Sequence, residues 1–304
     1  MRSRFLLPDG EVGDGVREIL PNADWISFAD AESGADVSKV EFYVPPYMRW
    51  GPGLAMLGRL PSLRAVQLLT AGIDWVAPHM PPGARLYRGV GIHEAAVTEL
   101  VVGSLLALVK GLPDFVRDQD HSTWAHRRVG GLLGSRAVVL GYGAIGRATG
   151  AALEALGVSV TGVGRSARPP ARPLADLGSL LPDCDILVVL LPLTDETRGL
   201  VDGSMLALLP DGATIVNAAR GPILEATALE RELVSGRLRA ALDVTDPEPL
   251  PPENPLWTLP NVLITPHVAG DSELFPRLAA RLVADQLERY RDGRPLAHEV
   301  VGSY

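Results

Sequence analysis

Short apolar runs alternate with amphipathic segments along most of the chain. The apolar runs suit strands covered on both faces, and the amphipathic segments suit the helices that cover them. That alternation predicts βαβ units and parallel sheets. The clearest stretch begins at Arg136. Ala137-Val138-Val139-Leu140 reads as a buried strand, Gly141 to Gly146 as a glycine-rich turn, Arg147 to Leu156 as a helix and Val158 to Val163 as the next strand. Ile186–Leu191, Thr214–Val216, Ala240–Val244 and Val262–Thr265 continue the series, with helical segments such as Ala226–Ser235 between most of them. The pattern predicts one doubly wound domain of about six parallel strands.

Residues 1–90 predict a second, smaller α/β unit. Its candidate strands are Arg4–Leu7, Trp25–Phe28, Val40–Val44, Ala65–Leu68 and Arg85–Arg88. Turn clusters separate them: Pro8-Asp9-Gly10, Pro45-Pro46, Gly51-Pro52-Gly53 and Pro81-Pro82-Gly83. One long apolar helix is expected over roughly Glu94 to Asp118, and a last helix over about Leu274 to Arg291. The last helix follows the final strand of the larger domain, so it is expected to pack back on the first. The expected fold class is therefore α/β, with two Rossmann-like, doubly wound parallel-sheet domains. Residues 94–271 form one domain inserted in a discontinuous domain built from residues 1–93 and 272–304.

Composition narrows the function classes. The chain has 304 residues, with 28 Lys+Arg against 36 Asp+Glu and a formal net charge of −8. Hydrophobic residues at 47% and charged residues at 21% argue against intrinsic disorder. The negative charge gives no general attraction to phosphate backbones or acidic membranes, so neither nucleic acid nor a membrane is an expected partner. The apolar stretches near Leu100–Val109 and Ile186–Leu193 fall short of the roughly 18 residues a membrane helix needs. Phe5-Leu6-Leu7 is too short for a signal-peptide core. The one cysteine, Cys184, excludes an intrachain disulfide and fits a reducing, cytoplasmic setting. No spacing of His, Cys, Asp and Glu predicts a metal site.

Gly141-Tyr142-Gly143-Ala144-Ile145-Gly146 reads G-x-G-x-x-G. Its place between a strand and a helix gives it meaning as a dinucleotide-binding turn. The first glycine permits the tight turn, the second lets the backbone approach a pyrophosphate, and the third lets helix and strand pack closely. The helix amino end offers free N–H groups and a partial positive charge to the phosphates. After the second strand the chain reads Val163-Gly164-Arg165-Ser166-Ala167-Arg168. An NAD site usually carries Asp or Glu here to bind the ribose hydroxyls, and none is present. Arg165, Ser166 and Arg168 suit a 2′-phosphate instead, so NADP(H) is the expected cofactor, with NAD(H) possible.

Three further strand ends carry polar groups that a purely structural sheet does not need. Asn217-Ala218-Ala219-Arg220-Gly221 follows Thr214-Ile215-Val216. An arginine at the carboxyl end of a parallel strand faces the ligand crevice, and its fork grips a carboxylate in two places. Asp243, at the next strand end, suits a hydrogen bond to a nicotinamide carboxamide, and Glu248 sits between two prolines in a stiff loop. His267 follows the last strand, and the small Ala269-Gly270 pair leaves room for a cofactor.

From about Gly89 to Gly270 these residues make the chain resemble the D-isomer-specific 2-hydroxyacid dehydrogenases. The matching pieces are Gly141 to Gly146, Leu191 to Thr197, Asn217 to Gly221, Leu242 to Leu250 and Leu256 to Gly270, in family order and spacing. Residues 1–90 match more weakly, mainly through Leu69-Thr70-Ala71-Gly72-Ile73-Asp74. The resemblance implies hydride transfer between NAD(P)(H) and C2 of a small 2-oxo or D-2-hydroxy acid, such as glyoxylate or hydroxypyruvate. It makes residues 94–271 the cofactor domain and the discontinuous domain the substrate domain. His267 would be the acid/base, Glu248 would hold its other nitrogen, and Arg220 would hold the carboxylate and polarise the carbonyl. Thr70, Ala71 and Gly72 would contact the same carboxylate, the last two through backbone N–H groups. Cofactor contacts would come from Leu191, Pro192, Thr197, Ala218, Ala219, Asp243, Ala269 and Gly270 as well as the glycine turn.

The family also implies a homodimer through the cofactor domains, with Gly111–Gly131 as an arm carrying Trp124 towards the neighbouring subunit. Two departures stand out: His93 replaces a frequent Asn and Thr98 a small Ala. Tyr47, Met48 and Trp50 lie where the family often shapes its side-chain pocket. The same scaffold also serves nucleotide-sensing corepressors and dehydrogenases of phosphoglycerate, formate or phosphite, so fold alone does not decide among them.

Overall fold

The computed structural model describes residues 4–165 and 170–301. The chain divides into two compact units, Met1–His93 with Asp271–Tyr304, and Glu94–Gly270.

The discontinuous unit is built on five strands: β1 (Arg4–Leu7), β2 (Asp24–Ser27), β3 (Val40–Tyr43), β4 (Ala65–Gln67) and β5 (Arg85–Tyr87). They pair in parallel in the order β2-β1-β3-β4-β5. Side chains alternate across a strand, so β1 sends Phe5 and Leu7 into one core and Leu6 into the other. The first core takes in the helices Glu11–Ile19 and Phe275–Arg291, the second Phe28, Met56 and Leu57. The carboxy-terminal helix thus completes the amino-terminal unit. Its Gln286, fully buried, donates to Gln67 Oε1 at 2.6 Å and to Ala297 O at 2.9 Å, joining sheet, helix and tail.

The inserted unit carries β6 (Arg136–Leu140), β7 (Ser159–Gly164), β8 (Arg172–Pro173), β9 (Ile186–Val189), β10 (Thr214–Asn217), β11 (Arg239–Leu242) and β12 (Val262–Ile264). Their order is β12-β11-β10-β9-β6-β7-β8, all parallel. The strand order reverses between β6 and β9, the point at which such sheets open a crevice at their carboxyl ends. The two-residue β8 adds a seventh strand to the six expected; it is too short for an apolar pattern to reveal. Apolar clusters cover both faces, one including Leu140, Leu187, Ile215 and Leu233, the other Val101, Val139, Leu153 and Val216.

The single helix expected over 94–118 is two, Glu94–Lys110 and Leu112–Asp120, bent by 65°. Gly111 takes a left-handed φ of 63° and Pro113 lacks the N–H that continuation requires. Among the described residues no single helix is long and apolar enough to cross a membrane.

Candidate active site

The inserted unit places its chemical groups at the carboxyl ends of its strands. After β6, the Gly141–Gly146 turn leads into the helix Ala144–Ala155. Gly141 has φ 96°, and a Cβ there would lie 2.5 Å from the Leu190 carbonyl. At Gly143 a Cβ would meet nothing within 4 Å, so the backbone there is open to a ligand. Gly143 caps the helix without a side-chain bond, which leaves first-turn amides for an anion. This open cradle fits the pyrophosphate of a nicotinamide dinucleotide. The Tyr142 ring lies against Gly162 of β7, where a Cβ would come within 2.2 Å of it. Arg165 directly follows β7. Ser166 and Arg168 lie outside the described residues.

After β9, Leu191 is buried and Pro192 exposed. The buried Thr197 hydroxyl donates to Pro192 O at 2.7 Å and accepts from Thr194 N at 2.8 Å, so this side chain shapes the loop. After β10, the buried Asn217 donates to Arg220 O at 3.0 Å and accepts from Ala219 N at 3.1 Å. That bracket fixes the turn from Ala218 to Arg220. The Arg220 guanidinium donates to Ala219 O at 2.7 Å.

After β11, Asp243 is 5% exposed. Its Oδ1 accepts from the Thr265 hydroxyl at 2.6 Å and from Val268 N at 2.9 Å; its Oδ2 accepts from Ala269 N at 3.0 Å. Its carbonyl accepts from His267 N at 2.8 Å. Asp243 thus organises the segment after β12, where His267 holds a left-handed φ of 54°. Oδ2 keeps acceptor capacity for a further donor.

His267 Nδ1 lies 2.6 Å from Glu248 Oε1. A carboxylate only accepts, so Nδ1 carries the hydrogen and Nε2 is the nitrogen left for chemistry. Both side chains are partly exposed, so the pair is open to a ligand. The 246–247 and 248–249 peptide bonds are cis. Among the described residues no group of three or more His, Cys, Asp or Glu gathers to hold a metal ion.

The sequence pattern did not single out Thr265 or the bracketing role of Asn217. Their signal was available: each is a polar residue at the carboxyl end of an otherwise apolar parallel strand. In the discontinuous unit, Thr70, Ala71 and Gly72 form a half-buried turn after β4, with the Thr70 hydroxyl donating to Gly72 O at 2.7 Å.

Residues 102–269 match the profile described as "D-isomer specific 2-hydroxyacid dehydrogenase, NAD binding domain". A D-isomer specific 2-hydroxyacid dehydrogenase from Xanthobacter autotrophicus Py2, solved with NADPH and MES, superposes with TM-score 0.85. It is 29% identical and the match covers 99% of this chain and 98% of that one. An NADPH-dependent glyoxylate/hydroxypyruvate reductase from Sinorhizobium meliloti, solved with NADP and sulfate, has TM-score 0.85 at 28% identity, covering 98% and 97%. A D-3-phosphoglycerate dehydrogenase from Methanocaldococcus jannaschii is 33% identical over 217 residues, which is 68% of this chain and 41% of that protein. By its matched length, its two parallel sheets and its strand-end residues, this chain belongs to the D-isomer specific 2-hydroxyacid dehydrogenases, oxidoreductases that use a nicotinamide dinucleotide.

Proposed function

We propose that this chain uses NADPH to reduce a small 2-oxo acid, such as glyoxylate or hydroxypyruvate, to the 2-hydroxy acid, with the D configuration where C2 becomes a stereocentre. The observation that carries the reading is the 2.6 Å His267–Glu248 pair, on the same strand-end edge as Arg220 and the glycine turn. Binding alone does not require such a pair.

The cofactor, when bound, supplies a hydride to C2. Arg220 grips the substrate carboxylate with its planar fork, and its charge stabilises the negative charge that grows on the carbonyl oxygen. His267 Nε2–H gives its proton to that oxygen, so one hydride and one proton convert the carbonyl to a hydroxyl. Glu248 holds Nδ1–H, fixes which nitrogen faces the substrate and stabilises the protonated ring. In the oxidative direction the neutral Nε2 takes the hydroxyl proton. Thr70, Ala71 and Gly72 are assigned as further substrate contacts.

The cofactor contacts proposed are Gly141 to Gly146, Leu191, Pro192, Thr197, Ala218, Ala219, Asp243, Ala269 and Gly270. Arg165, with Ser166 and Arg168, is assigned to the 2′-phosphate, and the two NADP(H)-bound relatives support that preference. A homodimer through the inserted units is proposed on Trp124 and Leu133, which are 98% and 85% exposed. The buried free thiol of Cys184 suits a cytoplasmic setting.

The test is the initial rate of NADPH and NADH oxidation with glyoxylate, hydroxypyruvate, pyruvate, phenylpyruvate and 2-oxoisocaproate. Turnover with NADPH well above NADH supports the reading. A preference for NADH sinks the 2′-phosphate assignment. Cofactor binding without turnover of any of these acids sinks the proposed substrate class.

A further inference from the structure

The turn after β4 is tied down from several directions. Gly89 N donates to Thr70 O at 2.8 Å. The Thr70 hydroxyl donates to Gly72 O at 2.7 Å and accepts the Trp75 indole N–H over a long 3.4 Å. Trp75 in turn stands edge-on to Trp50 at 4.7 Å. His93 Nε2 lies 2.8 Å from Leu69 O, and since a carbonyl only accepts, Nε2 carries the hydrogen. These bonds engage the carbonyls of Leu69, Thr70 and Gly72. The consecutive N–H groups of Ala71 and Gly72 meet no acceptor among the described residues. Both residues are half-buried. Two adjacent, partly buried amides without an acceptor among the described residues are available to an anionic ligand.

We propose that His93 is a positioning residue for this turn: by holding Leu69 O it keeps the Ala71 and Gly72 amides in the arrangement that takes the substrate carboxylate. The proposal rests on the 2-oxo acid reading above. His93 is only 5% exposed. Its ring lies nearly parallel to Phe275 at 5.3 Å, with the Tyr47 ring at 6.0 Å. A ring packed in this way has few rotamers, so its N–H is a fixed post rather than a mobile donor. The Thr70 hydroxyl braces the other end of the same turn and acts within it, its proton being engaged on Gly72 O.

His93→Phe keeps the ring and the stacking and removes the donor. The KM for the best 2-oxo acid rises about 5- to 30-fold, the loss of one buried hydrogen bond. The kcat stays within about threefold and the KM for NADPH does not change, because the chemistry and cofactor groups are untouched. Thr70→Val moves KM in the same direction and Thr70→Ser restores it. This second pair carries the test if His93→Phe does not fold. Oxamate, an unreactive 2-oxo acid mimic, gives a readout without turnover: its titration shifts Trp fluorescence through Trp75, and both weakening variants raise its Kd in proportion to KM.

An unchanged KM and oxamate Kd in His93→Phe overturn the proposal while leaving the reductase reading in place. An equal rise in the KM for NADPH also overturns it, since a general loosening of the unit then explains the effect. Oxamate binding that weakens in the variants, in a wild-type protein that turns over no 2-oxo acid, upholds the anion turn and sinks the reduction reading instead.

Discussion

Asp243→Asn removes one acceptor and one charge while keeping the size of the side chain. Three donors converge on this buried carboxylate, the Thr265 hydroxyl and the Val268 and Ala269 amides. A carboxamide has one oxygen and a donating NH2. In either orientation at least one buried donor faces another donor. An unsatisfied buried donor costs about 1–3 kcal/mol, and the surviving bonds lose charge assistance worth about 1 kcal/mol. The opposing effect, relief of a buried charge, is small here because three donors already compensate it. The net cost is about 3 kcal/mol, which lowers Tm by roughly 6–12 °C for a unit of this size. The same bonds hold His267 at its left-handed φ of 54°, a conformation costing about 1–2 kcal/mol elsewhere. Released, the histidine leaves its reacting position and kcat falls about 10- to 100-fold. Calorimetry and NADPH oxidation with the best 2-oxo acid check both figures. A Tm within 2 °C of wild type, with kcat unchanged, would refute the argument that Asp243 organises this segment.

Glu248→Gln keeps an acceptor for Nδ1 but removes the charge, so kcat/KM falls about tenfold; urea titration shows stability unchanged, because Glu248 is well exposed. Gly143→Ala leaves Tm within about 2 °C and raises the KM for NADPH at least tenfold, since its Cβ meets open space and fills the cofactor's cradle. Gly221→Ala does the reverse in thermal melts: its Cβ would lie 1.9 Å from Thr245 O, and the loss of stability is about 2 kcal/mol or more. Burial pushes the Cys184 thiol up to about 11 from its ordinary 9. At pH 8 that shift alone slows labelling by a thiol reagent about 100-fold relative to the urea-unfolded chain. The folded state holds this proton more tightly, so the site costs nothing below pH 9 and destabilises the fold progressively as pH climbs to 11, which urea titrations across that window measure.

The larger sheet was legible because its strands are covered on both faces. Val138 to Leu140, Leu187 to Val189 and Ile215 to Val216 are all nearly inaccessible, so each reads as an unbroken apolar run. The break at Gly111 was missed because apolar residues continue on both sides of it, although Lys110-Gly111 followed by Pro113 is itself a helix-stop signal. The edge strand β8 was not legible, since its two residues carry no periodicity. Within the candidate site, Arg220, Glu248 and His267 were singled out from strand-end position and family order. The 2.6 Å contact between His267 and Glu248 spans 19 residues and depends on how the proline-rich loop folds back, which no local pattern encodes. Asp243 shows the same limit. Its strand-end position led to the expectation of a ligand contact, whereas the bonds it makes are to three donors from the neighbouring strand end, which make it an organiser of the histidine segment.

Hydride transfer to C2, with His267 supplying the proton, is tested most directly by isotope. NADPH carrying deuterium at both C4 positions is incubated with hydroxypyruvate and the purified protein, and the product is read by mass and by proton NMR. The account predicts a D-2-hydroxy acid one mass unit heavier, with deuterium at C2, and a rate lowered about 10²- to 10⁴-fold in His267→Gln. A product without deuterium at C2, or a His267→Gln variant as fast as wild type, would contradict it.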